Sequence, residues 1–251
     1  MKDFLYLHLR DLPYFRALVR GVEAAYYQTF ELPEPTLDVG CGDGHFTSLT
    51  FDRKIDVGLD PWSGPIQEAG HRDCYRMLVQ ADGARSPFPA AYFASAFSNS
   101  VLEHISHIDD VLAETSRVLN HGAPFYFCVP NERYFYELSI ARLLGKSYVD
   151  WFRRISRVEH ADGPQRWKER LDLAGFDLER WWHYFSPSAM RVLEWGHYFG
   201  LPSLIARKLT GKWVLVPTKW NLWLTEKYVR GYASTEPIMD GVFTFYIARK
   251  R

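Results

Sequence analysis

The segment Thr36-Leu37-Asp38-Val39-Gly40-Cys41-Gly42-Asp43-Gly44-His45-Phe46 constrains the fold of this chain most. A short apolar run carrying one acid breaks into three glycines spaced by single residues, and helix-compatible sequence follows. Glycine tolerates positive φ and has no Cβ, so such a turn bends sharply and brings bare backbone close to a ligand. A helix that starts there offers unpaired N–H groups to a carboxylate or phosphate.

Further strands and helices alternate behind this turn. Lys54–Asp60 reads as a second strand, Tyr75–Gln80 as a third, Tyr92–Phe97 as a fourth and Pro124–Val129 as a fifth. Between them lie helical stretches over His45–Phe51, Pro65–Arg72 and Ile108–Leu119. Short links and strict alternation imply an α/β, doubly wound, mostly parallel sheet with ligands at the carboxyl ends of its strands. Ahead of the turn, Leu12, Phe15, Val19, Val22, Tyr26 and Phe30 recur at steps of three or four, an amphipathic helix with Pro13 in its first turn. Its plain reading is a core-covering helix; a lid over the ligand is the other. Beyond the fifth strand, helices are expected near 134–144, 148–158 and 165–174, a sixth strand over Phe176–Phe185, a helix opened by Ser186-Pro187, and a last strand over Gly241–Ala248.

Composition bears on partners. Lys+Arg and Asp+Glu are both 30, so no global field draws the chain to nucleic acid. Three cysteines, Cys41, Cys74 and Cys128, make no framework and no CxxC, which points to a reducing, cytoplasmic setting.

Four strand ends in succession carry ligand-binding residue types: the glycine turn, Asp60, Asp82-Gly83 and Ser98-Asn99. A carboxylate after the second strand can accept both hydroxyls of a ribose, and one after the third can accept from an exocyclic adenine amine. A dinucleotide fingerprint asks for G-x-G-x-x-G, but here the third glycine falls one position early and His45 takes its place.

Asp38-Val39-Gly40-Cys41-Gly42-Asp43-Gly44, Gly58-Leu59-Asp60, Ala81-Asp82-Gly83, Pro87-Phe88-Pro89, Val101-Leu102-Glu103-His104-Ile105 and Arg117-Val118-Leu119-Asn120-His121-Gly122 together resemble the class I S-adenosylmethionine-dependent methyltransferases, in the small-molecule, type 11-like branch. The resemblance is strong over 36–131 and topological beyond. One departure is Asn120-His121-Gly122-Ala123, where the family has a K-P-G-G-like turn.

The resemblance implies a seven-stranded Rossmann-like sheet in one domain over 1–251. Its core would be about 30–131, 164–185 and 240–250, with cap segments inserted at about 131–163 and 186–238. It implies S-adenosylmethionine as methyl donor, leaving S-adenosylhomocysteine. Gly40, Cys41, Gly42 and Gly44 would contact its methionyl and ribose portion with Asp38 orienting the amino acid end. Asp60 would hold the ribose diol, Asp82 and Gly83 would read the adenine, and Ser98 and Asn99 would lie beside the sulfonium. His104 is the candidate base, against a reading in which Glu103 and His104 brace their loop. His104, His107 and Asp109 match no metal-ligand pattern, so no metal is expected.

The acceptor would be a small molecule, or a lipid- or glycan-linked group, held by the inserted segments. Between 203 and 232, Arg207, Lys208, Lys212, Lys219, Lys227 and Arg230 face the single acid Glu226, with Trp213, Trp220, Trp223, Tyr228 and Tyr232 interleaved. Three readings compete: a packed helical cap, contact with an anionic membrane by an otherwise cytoplasmic protein, and an RNA-stacking surface. The neutral total charge weighs against nucleic acid. An RNA methyltransferase and a non-catalytic S-adenosylmethionine-binding partner are the alternatives to a small-molecule enzyme.

Overall fold

Short β-branched and aromatic runs bounded by glycine, proline and acid residues build one sheet, and the computed structural model describes residues 2–251 of the chain. The strands are β1 (Thr36–Val39), β2 (Ile55–Asp60), β3 (Tyr75–Gln80), β4 (Ser95–Asn99), β5 (Pro124–Pro130), β6 (Phe176–Tyr184) and β7 (Phe243–Lys250). Their order is β3-β2-β1-β4-β5-β7-β6. β1 to β5 run parallel, and β7 is antiparallel to both β5 and β6. The sheet is the expected seven-stranded, mostly parallel, doubly wound one. Parallel pairing puts the carboxyl ends of β1, β2, β4 and β5 on a single edge.

The helices are α1 (Phe4–Leu9), α2 (Tyr14–Tyr27), α3 (His45–Thr50), α4 (Ser63–Gly70), α5 (Ile108–Val118), α6 (Arg133–Tyr136), α7 (Ala141–Ser156), α8 (Pro164–Ala174), α9 (Pro187–Phe199), α10 (Leu201–Thr210) and α11 (Lys219–Arg230). α5 and α8 cover one face of the sheet, where Val111, Leu112, Trp167 and Leu171 are buried. α2, with α1, α3 and α9, covers the other through Leu18, Val22, Tyr27 and Met190. Two caps follow their sequence signals. Ser186 accepts from the Ala189 amide with Pro187 at the first helical position, and Gly175 ends α8 in the left-handed region.

Several elements differ from their expected spans. β4 starts at Ser95 rather than Tyr92, because Ala91 has positive φ and Phe93 makes only an isolated bridge to Leu119 before the chain joins β1. The first long helix starts at Tyr14 behind Pro13, and the short α1, capped by Asp3 accepting from the Tyr6 amide, precedes it. After β5, the helices expected at 134–144 and 148–158 fall at 133–136 and 141–156. The second is broken at Gly145, whose φ of 61° and ψ of −149° no helix allows.

Candidate active site

The glycine turn folds back on the neighbouring strand. The Gly40 and Cys41 amides both donate to the Leu59 carbonyl, at 2.8 and 2.9 Å, and the Gly44 amide to the Cys41 carbonyl at 3.1 Å. Gly40, Gly42 and Gly44 have φ of 80°, 54° and 68°, the region open to glycine at little cost. A Cβ on Gly40 would collide with the Val101 methyls, whereas one on Gly42 would meet no atom within 4 Å. One glycine thus serves packing and the other leaves bare backbone facing open space.

Two carboxylates stand beside this turn. Asp38 is buried, and both the Thr47 and Tyr75 hydroxyls donate to its Oδ2, at 2.8 and 2.6 Å. Among the described residues no hydrogen bond reaches its Oδ1. Burial pushes the Asp38 carboxyl up to about 7, outweighing the two hydroxyls, with Asp60 adding to the rise. Asp60 accepts the Gly42 amide on Oδ2 at 3.0 Å and the Trp62 amide on Oδ1 at 2.9 Å, leaving lone pairs on both oxygens. Burial raises its pKa, and these two amides oppose the rise.

Asp38, Gly40, Cys41, Gly42 and Asp60 line one cavity of about 590 Å³, and Asn99 closes its far end. Burial pushes the Cys41 thiol up, so it stays protonated there. Four of the expected residues lie outside its wall, the first of them Gly44, which packs against Ala69, Cys74 and Tyr75. Ser98 is fully buried and its hydroxyl donates to the Val39 carbonyl at 2.7 Å, on the opposite face of β4 from Asn99, because successive residues of a strand point to opposite faces. Ser100, just past the end of β4 and turned by a φ of 51°, stands in the wall instead. Asp82 is exposed, and its Oδ1 accepts from the Ala84 amide and meets His107 Nε2 at 3.1 Å. These two bonds hold its carboxyl below the ordinary range. Gly83 sits beside it, packed on Val111.

A second cavity of about 650 Å³ adjoins the first, and Arg16, Arg20, Ser100, Arg157 and Trp213 belong to the walls of both. Residues from 131–163, such as Tyr134 and Ile155, and from 186–238, such as Leu193 and His197, complete it. Trp213 lies between two guanidinium groups, 5.8 Å from Arg16 and 4.9 Å from Arg207. Arg207 also approaches Glu68 of α4 at 3.8 Å, so α10 reaches across to the nucleotide side of the sheet.

His104 and Glu103 stand in the wall of the larger cavity. His104 Nδ1 lies 2.7 Å from the Arg157 carbonyl, which accepts only from a protonated Nδ1, so Nε2 of the neutral ring carries the lone pair. Glu103 Oε1 is 3.7 Å from that Nε2, while its buried Oε2 has no partner. Burial pushes the Glu103 carboxyl up to about 7, against the pull of His104. Two other histidines are structural. His160 Nε2 binds the Ile105 carbonyl, and His183 Nδ1 binds the Thr244 hydroxyl on β7.

The sequence pattern of α2 conceals the most informative side chains. Arg16, Arg20, Glu23 and Tyr27 repeat at steps of four, four less one and four, a polar stripe beside the apolar one. Glu23 is fully buried and accepts from Tyr184 (2.8 Å), Asn99 (2.9 Å) and Ser100 (3.0 Å). Burial raises its pKa, and those three donors oppose the rise. Charged residues at helical spacing inside an apolar helix were the available signal.

Residues 37–127 match the family model of a methyltransferase domain. The malonyl-[acyl-carrier protein] O-methyltransferase of Legionella pneumophila is 30% identical over 123 residues, 47% of this chain and 43% of that protein. The enzyme of the same name from Serratia marcescens is 28% identical over 136 residues, 53% of each chain. The chain thus spans about half the length of the curated relatives it matches. Among solved structures, an S-adenosylmethionine-dependent methyltransferase of Thermotoga maritima, described as a possible histamine N-methyltransferase, superposes with a TM-score of 0.60. That match is 14% identical and covers 94% of this chain and 91% of that one, a likeness of fold.

Proposed function

Residues 37–127 being a class I S-adenosylmethionine-dependent methyltransferase domain of the type 11 branch, we propose that the chain transfers a methyl group from S-adenosylmethionine to a small-molecule, lipid-linked or glycan-linked acceptor in the larger cavity. The observation that carries this reading is the shared wall. Two cavities, one lined by the glycine turn and Asp60 and the other by His104, share Arg16, Arg20, Ser100, Arg157 and Trp213 in their walls.

The smaller cavity fits the donor. The free Oδ1 of Asp38 suits its ammonium, the open face of Gly42 admits its ribose, and the remaining lone pairs of Asp60 suit the ribose diol. Asp82 and Gly83, just beyond Asp60 in strand order, are the residues proposed for the adenine. The sulfonium supplies an electrophilic methyl group. The protein's work is to hold the acceptor's lone pair in line with it, and positioning of this kind lowers a barrier by about 7–11 kcal/mol. The acceptor–carbon bond forms as the carbon–sulfur bond breaks, and the bonding pair leaves on sulfur. An acceptor that must lose a proton gives it to His104 Nε2, whose lone pair the Arg157 carbonyl fixes. The malonyl-[acyl-carrier protein] relatives support an acyl-linked acceptor among these classes.

A membrane surface is the second element of the reading. Among the described residues no helix is long and apolar enough to cross a membrane. α10 buries no side chain, and Ile205, Leu209, Trp220, Trp223 and Leu224 are exposed among Lys208, Lys212, Lys219 and Lys227. Apolar side chains ringed by lysines suit an anionic bilayer surface.

Calorimetry with S-adenosylhomocysteine tests the donor site. Wild type should bind and Asp60→Ala should lose about tenfold or more, as expected for a lost charge-assisted hydrogen-bond pair. No binding by wild type refutes the reading. Transfer of a labelled methyl group to a component of a cell extract separates an enzyme from a non-catalytic binder.

A further inference from the structure

The larger cavity carries cations without partners. Arg16 and Arg20 are half-buried on α2, and Arg157 stands at the mouth, yet among the described residues none of the three makes an ion pair or a side-chain hydrogen bond. Other enclosed arginines are answered: the more deeply buried Arg170 holds Asp109 at 3.0 Å and Asp162 at 3.2 Å, and the half-buried Arg53 holds Glu34. Enclosed guanidinium groups are stable when a carboxylate or phosphate answers their planar donors.

The opposing charge in the wall does not suffice. Glu103 is the one carboxyl of the larger cavity, and its burial leaves it only partly ionised near neutral pH. Asp38, Asp43, Asp60 and Glu68 line the smaller cavity, which these arginines also border, but among the described residues none of the four comes within ion-pair distance of Arg16, Arg20 or Arg157. Arg20 faces Asp43 and Glu23, but Glu23 is already held by Tyr184, Asn99 and Ser100. The methyl donor brings one carboxylate, which one of the shared arginines can take. At least two guanidinium groups then remain for the acceptor. Phe15, Val19, Ile155, Leu193 and Phe243 supply the rest of the wall, so the same cavity offers an apolar body its place.

We propose that the acceptor is an amphiphilic anion, an apolar chain or ring bearing a carboxylate or phosphate that Arg16, Arg20 and Arg157 hold beside His104. This assignment rests on the methyltransferase reading and narrows its substrate class. Crowding of like charge supports it: burial first, then Arg20 and Arg207, push the Arg16 guanidinium down to about 10 against the pull of Asp43, and a bound anion relieves this.

The test uses the full chain saturated with S-adenosylhomocysteine and three probes of one chain length: decanol, decanoate and decyl phosphate. Calorimetry should show at least one anion binding about tenfold or more tightly than decanol, the scale of a charge-assisted contact. The tighter of the two anions identifies the group. In the Arg157→Gln variant that preference should shrink while decanol affinity stays at the wild-type value, which also reports that the cavity is folded. Binding of all three probes with equal affinity by the wild type overturns the proposal, as does a full preference surviving in an Arg16→Gln, Arg20→Gln, Arg157→Gln triple variant that still binds decanol. Failure of wild type to bind S-adenosylhomocysteine in the loading step refutes the methyltransferase reading instead, so the two failures are distinct.

Discussion

Asp38 is worth testing for stability and binding together, because its environment sets the two against each other. The free carboxyl titrates at 3.8 and the buried one at about 7. A carboxyl whose folded pKa is raised holds its proton more tightly in the folded chain, so ionising it costs the folded state more than the unfolded one. That cost is absent below pH 3.8, grows between 3.8 and about 7, and is constant above. At 1.36 kcal/mol per unit it reaches about 4 kcal/mol at pH 8 and about 1.5 kcal/mol at pH 5. Asp38→Asn removes the charge and can keep the carbonyl oxygen where Thr47 and Tyr75 donate. The variant should therefore gain on wild type by about 2.5 kcal/mol more at pH 8 than at pH 5, or about 5–10 °C in Tm for a chain of this size. Glu103 titrates in the same window in both proteins and cancels in the difference.

Binding should move the other way. The amide that replaces Oδ1 cannot accept from an ammonium, so affinity for S-adenosylhomocysteine at pH 8 should fall by about tenfold or more. Thermal unfolding at the two pH values and calorimetry at pH 8 read both quantities. A variant–wild type difference that does not change with pH refutes the burial argument. Unchanged affinity refutes the role of Oδ1.

Gly40→Ala should cost about 3 kcal/mol, from left-handed strain and overlap with Val101, and Gly42→Ala only about 1 kcal/mol of stability with a larger loss of donor affinity; denaturant titration and calorimetry distinguish them. Glu23→Leu should lower stability by about 3 kcal/mol or more, because Tyr184, Asn99 and Ser100 lose a buried acceptor, and thermal unfolding would show it. His104→Gln should slow methyl transfer by about 10²-fold and remove one limb of the pH–rate profile without changing donor affinity, whereas a purely bracing role would move stability and leave the profile intact. Serine at Trp220, Trp223 and Leu224 should release the chain from anionic vesicles while leaving donor binding unchanged, as vesicle co-sedimentation would measure.

The nucleotide half was legible because a parallel sheet converts chain order into spatial order. Residues that follow successive strands meet at one edge whatever their side chains do, so the turn at Gly40–Gly44, Asp60 and the end of β4 could be placed without a structure. The limit is one residue. Ser98 and Ser100 share a face by the two-residue alternation of the pleat, and what separates them is that β4 ends at Asn99 and the positive φ of Ser100 turns it out of the strand and into the wall. Asp82 escaped for another reason, since its loop turns its carboxylate towards Ala84 and His107, contacts that no spacing encodes. On α2 the apolar repeat was read and the charged one passed over, although Arg16, Arg20 and Glu23 share a stripe by the same arithmetic.

That stripe explains why the two cavities share a wall at all. Glu23 ties α2 to Asn99 and Ser100 at the end of β4 and to Tyr184 at the end of β6, and Tyr27, one turn on, donates to the Ser98 carbonyl at 3.0 Å. Four bonds to the sheet leave the helix little freedom to rotate. Arg20 and Arg16, one and two turns towards its start, are thereby carried over the strand edge and into both cavities. The sheet-side wall is set by buried polar bonds that a substitution breaks at high cost, whereas the opposite wall comes from α9, which is itself packed in the core, and from α10, which buries no side chain. Substitutions on α10 therefore cost less stability than those on α2.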